Sequence, residues 1–475
     1  MAEPLWTIAA MAEATGGRLE GVADGAVTGI SINSRDIRRG EAFFAIRGDR
    51  FDGHDFADAA IGAGAALAVI SEGKRDSVKA EGPLLVVEDV LAALEDLGRA
   101  ARARSKARIV AVTGSVGKTG TKEALRLALS ASGPTHASAA SFNNHWGVPL
   151  SLARMPADVP YAVFEIGMNH PGEITPLVAM VRPHAAIVTT VEAVHLEYFG
   201  SVEAIADAKA EIFTGLEPGG TAILNVDNEQ FARLKAAAGR GGAAILTFGV
   251  ADGADSRLER ISLHPDCSCV SALIRGVPVT YKLGAPGRHV VMNSLAVLLA
   301  VDVLGADLAL GALALQKLAA PRGRGQKRLL KVGDGRAVLI DESYNANPTS
   351  MRAALALLGQ SEPQKGGRRI AVLGDMLELG AAADALHAGL AEAVAAANVD
   401  QLYLSGPHMR ALAEVLPPGR LALHAAKSEA LAEALLAELR AGDVVMVKGS
   451  LGSRMAPLVE ALSERYPPMQ AEPAE

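Results

Sequence analysis

Residues 113–119 read Thr-Gly-Ser-Val-Gly-Lys-Thr, a spacing that suits phosphate chemistry. The glycines let successive backbone N–H groups converge on an anion, and the helix opened by Lys118 and Thr119 adds its positive dipole end. A lysine at this point reaches β- and γ-phosphates, and a threonine hydroxyl ligates the accompanying Mg²⁺. Thr113, Gly114, Ser115, Val116, Gly117, Lys118 and Thr119 are therefore the candidate nucleotide-binding residues. The competing reading is an ordinary glycine turn, which Gly-Lys-Thr between a strand and a helix disfavours. The general pattern G-x-x-x-x-G-K-[ST] asks for glycine at position 112, where the chain has Val112. The loop is a variant, and the class of enzyme has to come from other residues.

Other groups fall near the carboxyl ends of expected strands, where open α/β sheets collect ligands. Glu165 closes the strand 161–166, His195 follows the strand 185–191, and Lys209 lies in the helix 201–213 between Asp207 and Glu211. A carboxylate beside a phosphate loop can hold Mg²⁺, and a histidine can serve a second cation. Each also has a plainer reading. Glu165 can be a solvated strand end, His195 a satisfied loop or core histidine, and Lys209 a surface lysine in an i,i+4 charge network. On residue type alone Lys209 takes that last reading. Asn143 and Asn144 stand in a polar loop, Asn-Asn-His-Trp-Gly, and Asp341–Pro348 follows a strand and turns at Asn345 and Asn347. The second loop can close over nucleotide or be a bare turn. Ser34–Phe56 is dense in Arg, Asp, Gly and His around one strand, which suits a polar, phosphorylated ligand or a set of ordinary turns. The run Arg102, Arg104, Lys106, Arg108 reads as a solvated helix end matched to its dipole.

These residues need a frame, and the pattern of strands and helices supplies one. Residues 1–107 form a small α/β unit with a strand at 42–46, a helix at 55–66, strands at 68–70 and 84–87, and a helix at 91–103. Residues 108–325 alternate βα after the phosphate loop, with strands at 161–166, 185–191, 221–225 and 243–248, then strand-turn-strand from Arg257 to Leu283 and two apolar helices. Residues 326–475 repeat the alternation without a phosphate loop, with an unbroken helix at 381–397 and a disordered tail from Pro467. The fold class is α/β in three domains: a small N-terminal one, a central doubly wound P-loop one and a C-terminal Rossmann-like one.

Composition narrows the partners. Half of the 475 residues are apolar and only 4% aromatic, so the cores are built from Ala, Leu and Val. A net charge of −7 argues against nucleic acid as a partner. The apolar stretch Val290–Leu315 is interrupted by Asn293, Asp302 and Asp307 and reads as two core helices, with no membrane insertion. Cys267 and Cys269 read as reduced strand residues, and the N-terminus lacks a basic leader, so a cytoplasmic protein is expected.

Across nearly its whole length the chain resembles the Mur ligase family, the ATP-dependent amino-acid-adding enzymes of peptidoglycan synthesis. The resemblance rests on SRDIRRGEAFFAIRGDRFDGHDF, TGSVGKT, SFNNHWGVPL, FEIGMNHPGEI, VEAVHLEYFGS with DAKAEIF, GRHVVMNSLA, PRGRG, DESYNANPTSM, LGDMLELG and VKGSLGSRM. A loop lacking the first Walker glycine is the family's own form. The resemblance implies ATP and Mg²⁺, with Lys118, Lys209 and Arg324 as catalytic groups. It implies that Thr119, Glu165, His195 and Lys209 hold metal, Lys209 being similar to the family's carbamylated lysine. It further implies that Asn293 contacts adenine, that Arg324 and the Asp341 loop reach the nucleotide from a closing domain, and that Ser34, Arg47 and His54 hold the uridine-diphosphate end. Asn143, Asn144, Tyr344, Asn345 and Lys448 are the remaining substrate residues so implied.

Asn345, in place of the histidine of other branches, points to the branch that adds D-alanyl-D-alanine to UDP-N-acetylmuramoyl-tripeptide. The DNPR and DGAHNP motifs of neighbouring branches are absent. One departure is TTVEAVHLEYF, where many relatives carry Asn-Ile-Gly before the histidine, leaving Glu192 in an unusual place. A monomer is expected. The rivals are another amino-acid-adding Mur ligase, a folylpolyglutamate-type ligase and, from another class, a P-loop nucleotide switch. A GTPase of that last kind needs NKxD, and the chain has no Asn-Lys pair.

Overall fold

The computed structural model describes residues 4–21, 24–48, 51–79, 81–139, 141–194 and 196–469, and its three larger sheets lie in series along the chain. The middle sheet carries the site. From one edge its strands are Val277–Leu283, Ser268–Ile274, Ser256–Leu263, Ala244–Gly249, Thr221–Asn225, Ala185–Val188, Arg108–Thr113, Tyr161–Glu165 and Thr135–Ala137. Pairing is parallel from Ser256–Leu263 onward and antiparallel to the two strands at the first edge. The expected strand-turn-strand after Arg257 is thus a three-stranded meander.

Ile109, Val110, Ala111 and Val112 are all fully buried, because helices cover both faces of their strand, and an unbroken apolar run is what such a strand requires. Helices Lys118–Ser130 and Arg288–Val303 pack Leu125, Leu129, Leu295 and Leu298 against Val110 and Val112. Ile174–Val181 and Val202–Ala210 close the other face around Ile109, Ala111 and Phe164. Chain order reverses at Arg108–Thr113, which lies between Tyr161–Glu165 and Ala185–Val188, and a crevice opens at its carboxyl end.

The first sheet has the order Arg18–Glu20, Leu84–Val87, Leu67–Ser71, Glu41–Phe44, Gly29–Ser31, parallel except at the first pair. A helix at Ile8–Thr15, capped by Thr7, was not among the expected elements. The helix Val90–Arg104 corrects one expectation. Arg102 is 6% exposed and donates to the carbonyls of Val181 and Arg182 and to Glu217 at 2.8–2.9 Å. The helix end is driven under Ile174–Val181, so its guanidinium joins two units of the chain where solvent was expected. Arg104 lies 3.5 Å over the Trp6 ring.

The third sheet has the order Gln326–Val332, Gly335–Glu342, Val444–Lys448, Arg369–Gly374, Gln401–Ser405, Leu421–Ala425. Its first strand forms an antiparallel hairpin with the second, and the rest pair in parallel. The tail expected to be disordered pairs at its start: Lys331 N donates to the Pro467 carbonyl and Met469 N to that of Leu329. Residues 470–475 lie outside the described residues. The single helix expected at 381–397 is broken into Ala383–Ala388 and Ala391–Ala396 around Gly389, a poor helix former. Among the described residues no helix is long and apolar enough to cross a membrane, and both cysteines are free.

Candidate active site

A cleft of about 1240 Å³ lies between the middle and third sheets, and the phosphate loop forms its floor. The backbone sets that loop first. Gly114 and Gly117 have φ of 148° and 89°, conformations that L side chains rarely adopt. A Cβ at Gly114 would lie 1.9 Å from Thr189 Oγ1, and one at Gly117 would lie 2.4 Å from Asn293 Nδ2. Thr189 Oγ1 donates to the Val116 carbonyl at 2.6 Å, and Ser115 N donates to the Thr190 carbonyl at 2.8 Å. The neighbouring strand end therefore holds the loop's shape. Thr189 and Thr190 were missed from the sequence because nothing local marks them.

Charge is concentrated above this floor. Lys118 Nζ donates to the Gly114 carbonyl at 2.6 Å, and burial lowers its pKa to about 8, with Glu165 opposing that shift and Arg324 adding to it. Glu165 is fully buried. Its Oε1 accepts from Asn143 Nδ2 at 2.7 Å and from Thr119 Oγ1 at 3.2 Å, while Oε2 has no partner among the described residues. Ser141 Oγ stands 3.3 Å from the Thr119 hydroxyl. An orphaned buried carboxylate oxygen beside a threonine hydroxyl is costly as it stands. It fits Mg²⁺, which takes one or two carboxylates plus substrate phosphate oxygens. Among the described residues there is no cluster of three His, Cys, Asp or Glu side chains that could hold a metal ion. His195 lies outside the described residues.

Lys209 is 2% exposed, and no hydrogen-bond partner reaches its ammonium among the described residues. The surface network expected for it does not form. Asp207 turns outward to Arg233 at 2.8 Å, and Glu211 accepts from Gly172 N and Thr175 N. Helical period places those acids outside and Lys209 inside. Burial pushes its pKa well below the usual lysine value, and the charge of Lys118 pushes the same way.

The third sheet supplies the facing wall. Arg324 lies 4.1 Å over the Tyr344 ring. Lys448, also 2% exposed, donates to Glu342 Oε2 at 3.2 Å and to the Asn345 carbonyl at 3.0 Å. Asn144 Oδ1 accepts from Gly147 N at 2.9 Å just before the helix Gly147–Ala153 and, with Asn143, lines the cleft. Asn293 lines it beside Gly117. Thr113 is buried beneath the loop, with its hydroxyl unpaired among the described residues.

Thr113, Gly114, Lys209, Asp341, Ser34, Arg47 and His54 are expected residues that do not line the cleft. Asp341 is buried in its own hairpin, accepting from Ser343 Oγ at 2.6 Å and pairing with Arg328 at 3.5 Å. Ser34, Arg47 and His54 stand on the first sheet's loops, away from the cleft walls. His54 is held between Asp52, 2.6 Å from Nδ1, and Ser71 N, which donates to Nε2 at 3.0 Å.

Three family models match the chain in series: Mur ligase family, catalytic domain, over residues 26–102; Mur ligase middle domain over 112–301; and Mur ligase, glutamate ligase domain, over 327–451. The UDP-N-acetylmuramoyl-tripeptide–D-alanyl-D-alanine ligase of Escherichia coli (strain K12) is 35% identical over 462 residues, covering 96% of this chain and 98% of its own. The enzyme of the same name from Rickettsia prowazekii (strain Madrid E) is 32% identical, covering 91% and 94%. A crystal structure of MurF from Acinetobacter baumannii superposes with a TM-score of 0.82 at 30% identity, covering 97% of this chain and 99% of its own. MurF ligase from Thermotoga maritima in complex with ADP gives 0.75 at 28% identity, covering 92% and 97%.

Proposed function

We propose a function from one premise: the chain belongs to the Mur ligase family. It is an ATP-dependent ligase that joins D-alanyl-D-alanine to UDP-N-acetylmuramoyl-tripeptide in peptidoglycan synthesis. The observation that carries this reading is electrostatic. Lys118 and Arg324 both line the cleft over the glycine loop, with the Glu165 carboxylate beside them, and the charge of Arg324 bears on Lys118. Like charges gathered over a glycine-lined loop are unfavourable alone and are relieved by a polyanion. ATP meets that description.

A carboxylate is a poor electrophile and has to be activated first. The tripeptide carboxylate attacks the γ-phosphorus, the bond to ADP breaks, and an acyl phosphate forms. Lys118 and Arg324 hold the transferring phosphoryl group and balance its charge. The dipeptide amine then attacks the acyl carbon and phosphate leaves. A free α-amine has a pKa of about 7.7–8, so a neutral fraction is at hand near pH 7 without a strong base. Asn293 faces adenine and the Asp341 loop backs the nucleotide wall. Asn143, Asn144, Tyr344, Asn345 and Lys448 seat the reacting ends, and Ser34, Arg47 and His54 belong to the unit that takes the uridine diphosphate.

Thr119, Glu165, His195 and Lys209 are the residues for Mg²⁺, which when bound supplies charge neutralisation at the phosphates. Lys209 suits carbamylation: burial pushes its pKa well down, which favours the neutral amine, the form that adds to CO₂ with loss of a proton, and the product is an anionic oxygen ligand. A monomer goes with this reading, and the demand for ATP supports a cytoplasmic setting. The working units are 1–107, 108–325 and 326–475.

The test is product formation from ATP, UDP-N-acetylmuramoyl-tripeptide and D-alanyl-D-alanine, read by mass. All three should be required, and Lys118→Ala should lower turnover by about 10³-fold or more. Turnover with L-glutamate in place of the dipeptide would move the chain to another branch. Hydrolysis of GTP without either peptide would make it a nucleotide switch.

A further inference from the structure

Glu192 stands where three parts of the cleft meet, and none of the chemistry above uses it. Its backbone is tied to the phosphate loop: Glu192 N donates to Ser115 Oγ at 2.9 Å, and that hydroxyl donates to the Glu192 carbonyl at 3.1 Å. Its carboxylate points elsewhere. Oε1 accepts from Thr190 Oγ1 at 3.1 Å, a hydroxyl that in turn accepts from Asn228 Nδ2 at 3.0 Å. Oε2 accepts from Thr349 Oγ1 at 3.1 Å, a residue of the third unit 157 positions further along the chain.

Thr349 sits in the first turn of the helix Pro348–Gln360, whose cap is already complete through Asn347 and Ser350. A carboxylate against that turn is favoured by the helix dipole. A second attachment lies nearby, where Glu197 N donates to the Glu378 carbonyl at 3.3 Å and Glu378 adopts a φ of 63°. Positive φ in a non-glycine residue persists where the surroundings over-determine it.

We propose that Glu192 is a positioning residue, a strut whose side chain seats the third unit over the phosphate loop. The helix Pro348–Gln360 continues directly from the loop bearing Tyr344 and Asn345, so moving Thr349 moves both of them. Glu192 thereby sets the acceptor wall and the phosphate cradle in one frame. The inference rests on the ligase reading for its consequence: an acyl phosphate has to meet an amine before it meets water.

The experiment compares Glu192→Ala, Thr349→Val and the double variant. The measurements are amide bonds formed, phosphate released and hydrogen exchange in the first turn of Pro348–Gln360, the last without nucleotide. Wild type should release about one phosphate per bond. Each single variant should release severalfold more per bond and lose on the order of tenfold in kcat. KM for ATP should stay within about twofold, because Ser115 bonds to the backbone of residue 192. The double variant should be no worse than the poorer single one, as expected of two groups sharing one contact. Glu192→Gln, which keeps an oxygen acceptor, should recover part of the coupling. Exchange should rise in both single variants. Retained one-to-one coupling with unaltered exchange, or additive losses in the double variant, overturns the strut. If wild type forms no amide at all, the ligase reading fails, while hydrogen exchange still decides the contact.

Discussion

Lys209 and Lys448 are equally hidden, each 2% exposed, yet Lys448 lines the cleft and Lys209 does not, and their surroundings treat them in opposite ways. Lys448 has the Glu342 carboxylate and the Asn345 carbonyl within hydrogen-bond reach. Lys209 has no partner among the described residues and a pKa driven well down by burial. A paired lysine belongs to the finished structure, whereas a buried one with no partner among the described residues is left for something that arrives later. The same contrast recurs in the carboxylates. Asp341 is satisfied by Ser343 and Arg328, while Glu165 Oε2 is left open. The wall around the phosphate loop waits for ligands, and the wall of the third unit is a self-contained former.

The sharpest way to break this contrast is to make both lysines apolar. Lys209→Met should lower ligation by about 10²-fold, since the proposed metal-side ligand is lost, and yet raise the thermal midpoint. The sign of the pH effect follows from the depressed pKa. The folded state binds fewer protons than the unfolded state between the folded pKa and the usual 10.5, so the burden of burying Lys209 is greatest at low pH and fades toward 10.5. The variant's gain in stability should shrink accordingly, measured by thermal unfolding across pH 6–10. Bicarbonate should stabilise wild type and leave Lys209→Met unmoved. A destabilised variant at neutral pH would mean that Lys209 is paired after all.

Lys448→Met should go the other way. It strands the Glu342 carboxylate and the Asn345 carbonyl, costing about 2 kcal/mol after allowance for the partial exposure of Glu342. Urea unfolding would show this, and an unchanged midpoint would make the two lysines alike.

How much of this was open to a reader of the sequence depends on whether the signal is local. The phosphate loop was legible because its shape needs glycine at 114 and 117 and a helix at Lys118, all within a few residues. The buried state of Lys209 was not, because Asp207 and Glu211 mimic a surface network and only packing shows which way each points. Strand Gln326–Val332 was missed because an edge strand rich in Lys and Arg carries little apolar alternation. Asp341 was expected at the nucleotide, but its pairing with Arg328 depends on the hairpin register that sets Gln326 opposite Asp341. Glu192 was visible as a departure, while its contact with Thr349 was not.

Lys118 tests the waiting wall with the smallest effect. Burial holds its pKa near 8 in the absence of an anion, with Arg324 pushing the same way and Glu165 opposing. Nucleotide phosphates favour the ammonium, so the pKa rises when they bind and binding takes up a proton. Affinity for ATP is therefore complete below about pH 8 and falls as pH rises through that value, by up to about tenfold per pH unit, until the higher pKa of the complex is reached. Arginine stays charged throughout this range, so Lys118→Arg should bind with a flat profile even where its catalysis is poor. Calorimetric titration of a non-hydrolysable ATP analogue from pH 7 to pH 9.5 would separate the two. Equal slopes would show that Lys118 is already fully charged in the free cleft, and the wall around it would then be as self-satisfied as the one it faces.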